Sequence, residues 1–156
     1  AKHLDVVLHE LDRIEAGQPG SLERPFVRAT EFFKRRGIIV VISDFYEDPK
    51  KVVDLLKPLN YGGNDLIVFQ VLDPAEIDFP YDDPTSFQDL ETGRKMPVVP
   101  EKLRDQYREL IQEHIAALSK LCGENRIDYA LFNTAMPIDH ALFKFLAMRE
   151  KLSRVR

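Results

Sequence analysis

Apolar residues recur along this chain in two rhythms, one helical and one unbroken, and their alternation lays out the fold. From Lys2 to Ala16, Leu4, Val7, Leu8, Leu11 and Ile14 fall at steps of three and four, which predicts a helix with one buried stripe. Gly17-Gln18-Pro19-Gly20 breaks it. Ser21 then suits an N-cap, and Leu22, Phe26, Ala29 and Phe33 mark one face of a second helix that stops at Gly37. The run Ile38 to Ser43 is apolar without alternation, as expected of a parallel strand buried on both faces. Asp48 caps a third helix, Pro49 occupies its first turn, and Val52, Leu55, Leu56 and Leu59 form its stripe. Asn60 to Asn64 turns the chain into a second apolar strand, Asp65 to Leu72.

A different texture follows. Asp73 to Pro100 carries five of the ten prolines and a cluster of acids, and reads as an insert. Within it, Ser86 to Leu90 and Lys95 to Val99 are expected to pair as a hairpin across Glu91-Thr92-Gly93-Arg94. Glu101 to Cys122 is a long helix with Leu103, Tyr107, Leu110, Ile111, Leu118 and Leu121 on one side and Gly123 as its C-cap. Ile127 to Asn133 makes a third strand, and Pro137 opens a last helix whose Ile138, Leu142, Phe145 and Leu146 face inward.

Strands separated by helices run parallel, so the order predicts an α/β fold: a partial doubly wound parallel sheet with a β-hairpin insert at 73–100. Three strands are few for such a sheet. Residues 1–156 are therefore expected to form the C-terminal part of one domain, with further strands upstream, and the lack of an initiator methionine points the same way.

Composition narrows the partners. The 22 basic and 26 acidic residues are mixed along the chain, so no basic face for nucleic acid is expected. The short basic patches at Arg35-Arg36 and from Arg149 to Arg156 complement helix ends. A single cysteine, Cys122, excludes an internal disulfide and a cysteine-based zinc site, and suggests a reducing, cytoplasmic setting. The longest aliphatic run, Ile38 to Ile42, is far short of the roughly 20 residues a membrane span needs.

Ligands of open parallel sheets gather at the carboxyl ends of the strands. Ser43-Asp44, Asp73-Pro74 and Asn133-Thr134 fall there, and Ser21 joins them if its helix packs beside the first strand. Hydroxyl and carboxylate oxygens of this kind suit Mg²⁺. Each residue also has a plainer reading. Ser21 caps a helix, Asp44 braces the loop before Pro49, Asp73 fixes a turn, and Thr134 caps the last helix. His114 lies on the apolar stripe of the long helix and reads as a packing residue, while His3, His9 and His140 are scattered without metal-ligand spacing. Cys122, at a helix C-terminus, is expected to be inert. Tyr46, Phe79, Tyr81 and Phe87 either mark a partner surface or anchor loops.

The stretch Arg35-Arg36-Gly37-Ile38-Ile39-Val40-Val41-Ile42-Ser43-Asp44-Phe45 resembles the signature of a bacterial von Willebrand factor A-like family of unknown function (domain of unknown function 58) found with MoxR-type AAA+ ATPases. Val71 to Glu76, Phe87 to Gly93, Ile127-Asp128-Tyr129, Thr134 and Leu146 to Arg149 carry the resemblance through nearly the whole chain. It implies a Rossmann-like sheet with a metal-ion-dependent adhesion site, built from an Asp-x-Ser-x-Ser loop, a hydroxyl from a second loop and an Asp from a third. Asp44 matches the third-loop position and Ser21 the second. No Asp-x-Ser-x-Ser occurs in these 156 residues, so the metal site is partial and tight Mg²⁺ binding by this chain alone is not expected.

The leading functional expectation is thus a non-enzymatic protein-interaction module in a MoxR-linked assembly. One alternative makes Asp44 the nucleophile of an Asp-based phosphoacceptor or hydrolase, which needs a further acidic cluster and a downstream lysine. Another is a functionally inert sub-domain whose open sheet edge pairs two copies into a homodimer.

Overall fold

The computed structural model describes residues 2–14, 23–33, 35–89 and 92–153. In chain order its elements are α1 (Lys2–Asp12), α2 (Glu23–Phe32), β1 (Ile38–Ser43), α3 (Pro49–Tyr61) and β2 (Asp65–Leu72). The insert holds α4 (Pro74–Asp78), β3 (Thr85–Gln88) and β4 (Lys95–Val98), and α5 (Pro100–Glu124), β5 (Asp128–Asn133) and α6 (Ile138–Ser153) complete the chain.

β1, β2 and β5 form one parallel sheet in the order β1-β2-β5. Ile38 lies opposite Asp65 and Ser43 opposite Gln70, while Ile67 lies opposite Asp128 and Leu72 opposite Asn133. Alternate residues of a strand point to opposite faces, so this register sorts the side chains into two layers. Ile39, Val41, Leu66, Val68 and Tyr129 pack with Val52, Val53 and Leu56 of α3 and with Leu118 and Cys122 of α5. Ile67, Phe69 and Phe132 pack with Ala141 and Phe145 of α6. There the Phe69 ring stacks on Phe132 at 4.5 Å and meets Phe145 edge-on at 4.9 Å. Arg149 ties the far end of α6 to the amino ends of the strands through Asp65 and Asp128. The result is a mixed α/β fold with helices on both faces of a three-stranded sheet, plus a separate antiparallel pair, β3-β4.

Several expectations need correction. β1 is not buried on both faces: Ile38, Val40 and Ile42 are 67%, 46% and 66% exposed. The cause is coverage, because the cluster under α6 draws its sheet residues from β2 and β5. The α1 stripe of Leu4, Val7, Leu8, Leu11 and Ile14 is likewise exposed. On α6 the inward pair is Ala141 and Phe145, whereas Ile138, Leu142 and Leu146 face outward. α5 runs through Gly123, and it is Arg126 that takes the left-handed conformation (φ 57°) after the helix. There the Arg126 N–H donates to Gly123 O (3.1 Å) and the Ile127 N–H to Cys122 O (2.9 Å), with Ile127 buried. That pattern of six-to-one and five-to-two bonds ends a helix without requiring glycine.

The hairpin forms as Thr85–Gln88 against Lys95–Val98, slightly ahead of the expected register. α4 was not foreseen. Asp73 accepts from the Ala75 N–H and Glu76 reaches back to the Asp73 N–H, a reciprocal cap that starts one short helix. Among the described residues, no helix is long and apolar enough to cross a membrane.

Candidate functional site

The carboxyl edge of the sheet is organised by a break just after β1. Phe45 adopts φ 53°, a conformation that costs a bulky L-residue about 1–2 kcal/mol. Its side chain is fully buried in the core shared with α3 and α5, and burying a phenylalanine returns about 1.5–3 kcal/mol. Burial outweighs strain, so the chain turns sharply at Asp44 and leaves that residue exposed.

Three polar groups then lock the turn. Gln70, fully buried in β2, donates from Nε2 to the Asp44 carbonyl (2.9 Å). Tyr129 in β5 donates its hydroxyl to Gln70 Oε1 (2.7 Å). Burial pushes the Tyr129 hydroxyl well above its ordinary pKa, which keeps it a donor. From α5, His114 Nε2 lies 2.7 Å from the Phe45 carbonyl. A carbonyl only accepts, so Nε2 carries the proton in this contact. The Ser43 hydroxyl finishes the frame, accepting from the Phe45 N–H (3.2 Å) and donating to Asp44 Oδ1 (3.1 Å). The Asp44 carboxylate is therefore held by its own neighbour and otherwise faces outward.

The ends of β2 and β5 meet in a second cluster. Thr134 Oγ1 donates to Asp73 Oδ2 (2.7 Å), and the Thr134 N–H extends the ladder to Leu72 O (3.0 Å). Thr134 is thus a clamp on the insert and not the helix cap expected of it. Asn133 takes the local turn, accepting from the Ala135 N–H (2.9 Å). The Ala75 N–H first, and Thr134 second, hold the Asp73 carboxyl below the usual carboxylate range.

Ser21 lies outside the described residues. Asp44 and the Ser43 hydroxyl alone fall well short of the six oxygens that Mg²⁺ requires, so the donors described here do not by themselves fit that ion. Among the described residues, no three His, Cys, Asp or Glu side chains are grouped so as to hold a metal ion.

Beside Asp44 the insert and α5 enclose an aromatic pocket of about 420 Å³. Tyr46 donates to Glu76 Oε1 (2.9 Å), and Tyr107 donates to the Glu76 carbonyl (2.9 Å). Burial, and then the hydrogen bond to Glu76, push the Tyr46 hydroxyl well above its ordinary pKa. Phe79, itself at φ 45°, touches Tyr81, Phe87 and Tyr107 at ring distances of 5.2, 5.8 and 4.7 Å. Phe79, Tyr81 and Phe87 come from one short stretch, and the fold brings Tyr46 and Tyr107 to them from distant segments.

Gln70 is the residue that sequence reasoning passed over. Its one signal was an amide interrupting the apolar run Asp65 to Leu72, and such a residue in a buried strand must find partners.

No curated protein and no solved structure matches this chain. The family described as Protein of unknown function DUF58 matches residues 1–117, and the chain belongs to that family.

Proposed function

We propose that this chain is a non-enzymatic protein-interaction module of the von Willebrand factor A-like kind, acting in the cytoplasm with a MoxR-type AAA+ ATPase. The observation that carries the proposal is the treatment of Asp44. The backbone that carries this exposed residue at the end of β1 is fixed by a buried amide, a tyrosine hydroxyl and a histidine, while the carboxylate itself accepts from the Ser43 hydroxyl. Such a frame suits presentation of a charge to a partner, because it holds the loop still and leaves the residue exposed. Membership of the DUF58 family supports the reading. In it, Asp44 and Ser21 are one half of a metal-ion-dependent adhesion site, and tight Mg²⁺ binding needs more oxygens than these two residues supply.

Two measurements test the proposal. The protein is expected to co-purify with a MoxR-type ATPase and to lose that partner when Asp44→Ala is introduced. Retention by the variant, or no ATPase with the unaltered protein, would sink it. Calorimetric titration of the chain with MgCl₂ is expected to show no binding in the micromolar range.

A further inference from the structure

The aromatic pocket beside Asp44 has a chemistry of its own. Its volume, about 420 Å³, lies within the range of small-ligand sites, and its walls join five tyrosine and phenylalanine rings, from the loop after β1, the segment after α4, the hairpin and α5, to Met96, Val98 and Leu103. Among the described residues, the one carboxylate in the wall is that of Glu76, anchored from both sides by Tyr46 Oη and the Asp73 N–H. The segment 73–89, which supplies Ala75, Glu76, Phe79, Tyr81 and Phe87 to the wall, holds Asp73, Glu76, Asp78, Asp82, Asp83 and Asp89 and no basic residue. From α5, Arg104 donates to Asp82 (2.5 Å) and to the Tyr81 carbonyl (2.6 Å), and Arg108 donates to the Asp78 carbonyl, so both arginines are already engaged by this segment.

Aromatic faces and an anchored carboxylate select for the same thing. A ring's electron-rich face attracts a cation within about 6 Å, and the attraction grows as water is excluded. An apolar ligand would use the rings and waste the acids; an anionic ligand would be repelled by them. Phe79 sustains a left-handed backbone at the centre of the cluster, and strain of this sort concentrates at binding sites.

We propose that this pocket binds the cationic side chain of a basic peptide segment, an arginine or lysine whose aliphatic stem lies along Phe79 and Phe87 and whose charge meets Tyr81 and Glu76. The inference rests on the reading of the chain as an interaction module, and names the chemistry of its partner.

The test uses three fluorescein-labelled pentapeptides, Gly-Leu-Arg-Leu-Gly and its Leu-for-Arg and Glu-for-Arg counterparts, measured by fluorescence anisotropy with the whole chain. The arginine peptide is expected to bind at least ten-fold more tightly than either counterpart, and to weaken as salt is raised. Tyr81→Leu keeps an apolar wall but removes the ring face, and Glu76→Gln keeps the shape but removes the charge. Each is expected to lower the arginine peptide's affinity several-fold, with circular dichroism unchanged. Equal binding of the three peptides, or no loss in both variants, would overturn the proposal. Failure of the peptide series with ATPase co-purification intact counts against the pocket alone, and loss of co-purification with the peptide series intact counts against the strand-end reading alone, so the two failures give different results.

Discussion

Replacing Gln70 by leucine tests the frame that holds Asp44. The substitution conserves volume but deletes two hydrogen bonds, from Nε2 to the Asp44 carbonyl at 2.9 Å and from the Tyr129 hydroxyl to Oε1 at 2.7 Å. Each bond contributes about 1 kcal/mol net, and a half-buried hydroxyl left without its partner costs up to about 1–3 kcal/mol more, so the loss should be about 2–4 kcal/mol even after the gain from a more apolar side chain. The Asp44 carbonyl is near solvent and can be rehydrated, whereas Tyr129 is the group left stranded. That asymmetry predicts coupling. Tyr129→Phe alone should cost about 1–2 kcal/mol, and Gln70→Leu combined with Tyr129→Phe should be less damaging than the sum by about 1 kcal/mol or more. Urea unfolding followed by circular dichroism measures all four species, and a slope of about 2 kcal/mol per molar turns the Gln70→Leu effect into a midpoint shift of about 1–2 M. Strict additivity, or a Gln70→Leu variant as stable as the unaltered chain, would refute the reasoning.

Thr134→Val should raise the pKa of Asp73 toward its ordinary 3.8 without reaching it, because the stronger Ala75 N–H bond remains; a carboxylate NMR titration reads this directly. A carboxyl depressed in the folded state stabilises above its unfolded pKa and loses that contribution as pH falls through the folded value, so the stability gap between the two proteins should close below about pH 4. Burial pushes the Cys122 thiol up to about 12, so Ellman's reagent should label it at pH 8 only as fast as the protein opens, and rapid labelling would contradict the core described for α5. Arg126→Gly relieves a left-handed backbone while keeping the helix-ending bonds, and should raise the unfolding free energy by about 0.5–1 kcal/mol. The uncovered face of β1 predicts reversible self-association seen in sedimentation velocity and weakened by Val40→Lys; a clean monomer at the highest soluble concentration would dispose of it.

What the sequence made legible was set by how local each signal is. The strands at 38–43 and 65–72, the cap at Asp48 and the hairpin around 92–93 each depend on residues within a few positions of one another, and all are present. Burial was less legible. The stripes on α1 and α6 have the right spacing for a core, but spacing says only that a face exists, not that anything covers it. Ile38, Val40 and Ile42 show the same limit, since an unbroken apolar run reads as buried whether or not a helix lies over it.

The candidate site divides along the same line. Asp44, Asp73 and Thr134 were found from strand ends alone, because the carboxyl edge of a parallel sheet is a place that topology defines. The role of Thr134 was misread, since its partner Asp73 is 61 residues away. The role of Gln70, and the addition of Tyr46 and Tyr107 to the rings of the insert, depend on such long-range meetings: Gln70 reaches 26 residues to Asp44, and Tyr107 reaches 31 to Glu76. Both sit where α5 crosses the strand ends, and His114 and Tyr107 are its two contributions there. One helix thus braces the Asp44 turn with one side chain and walls the pocket with another, two turns apart. A displacement of α5 would therefore disturb both contacts at once.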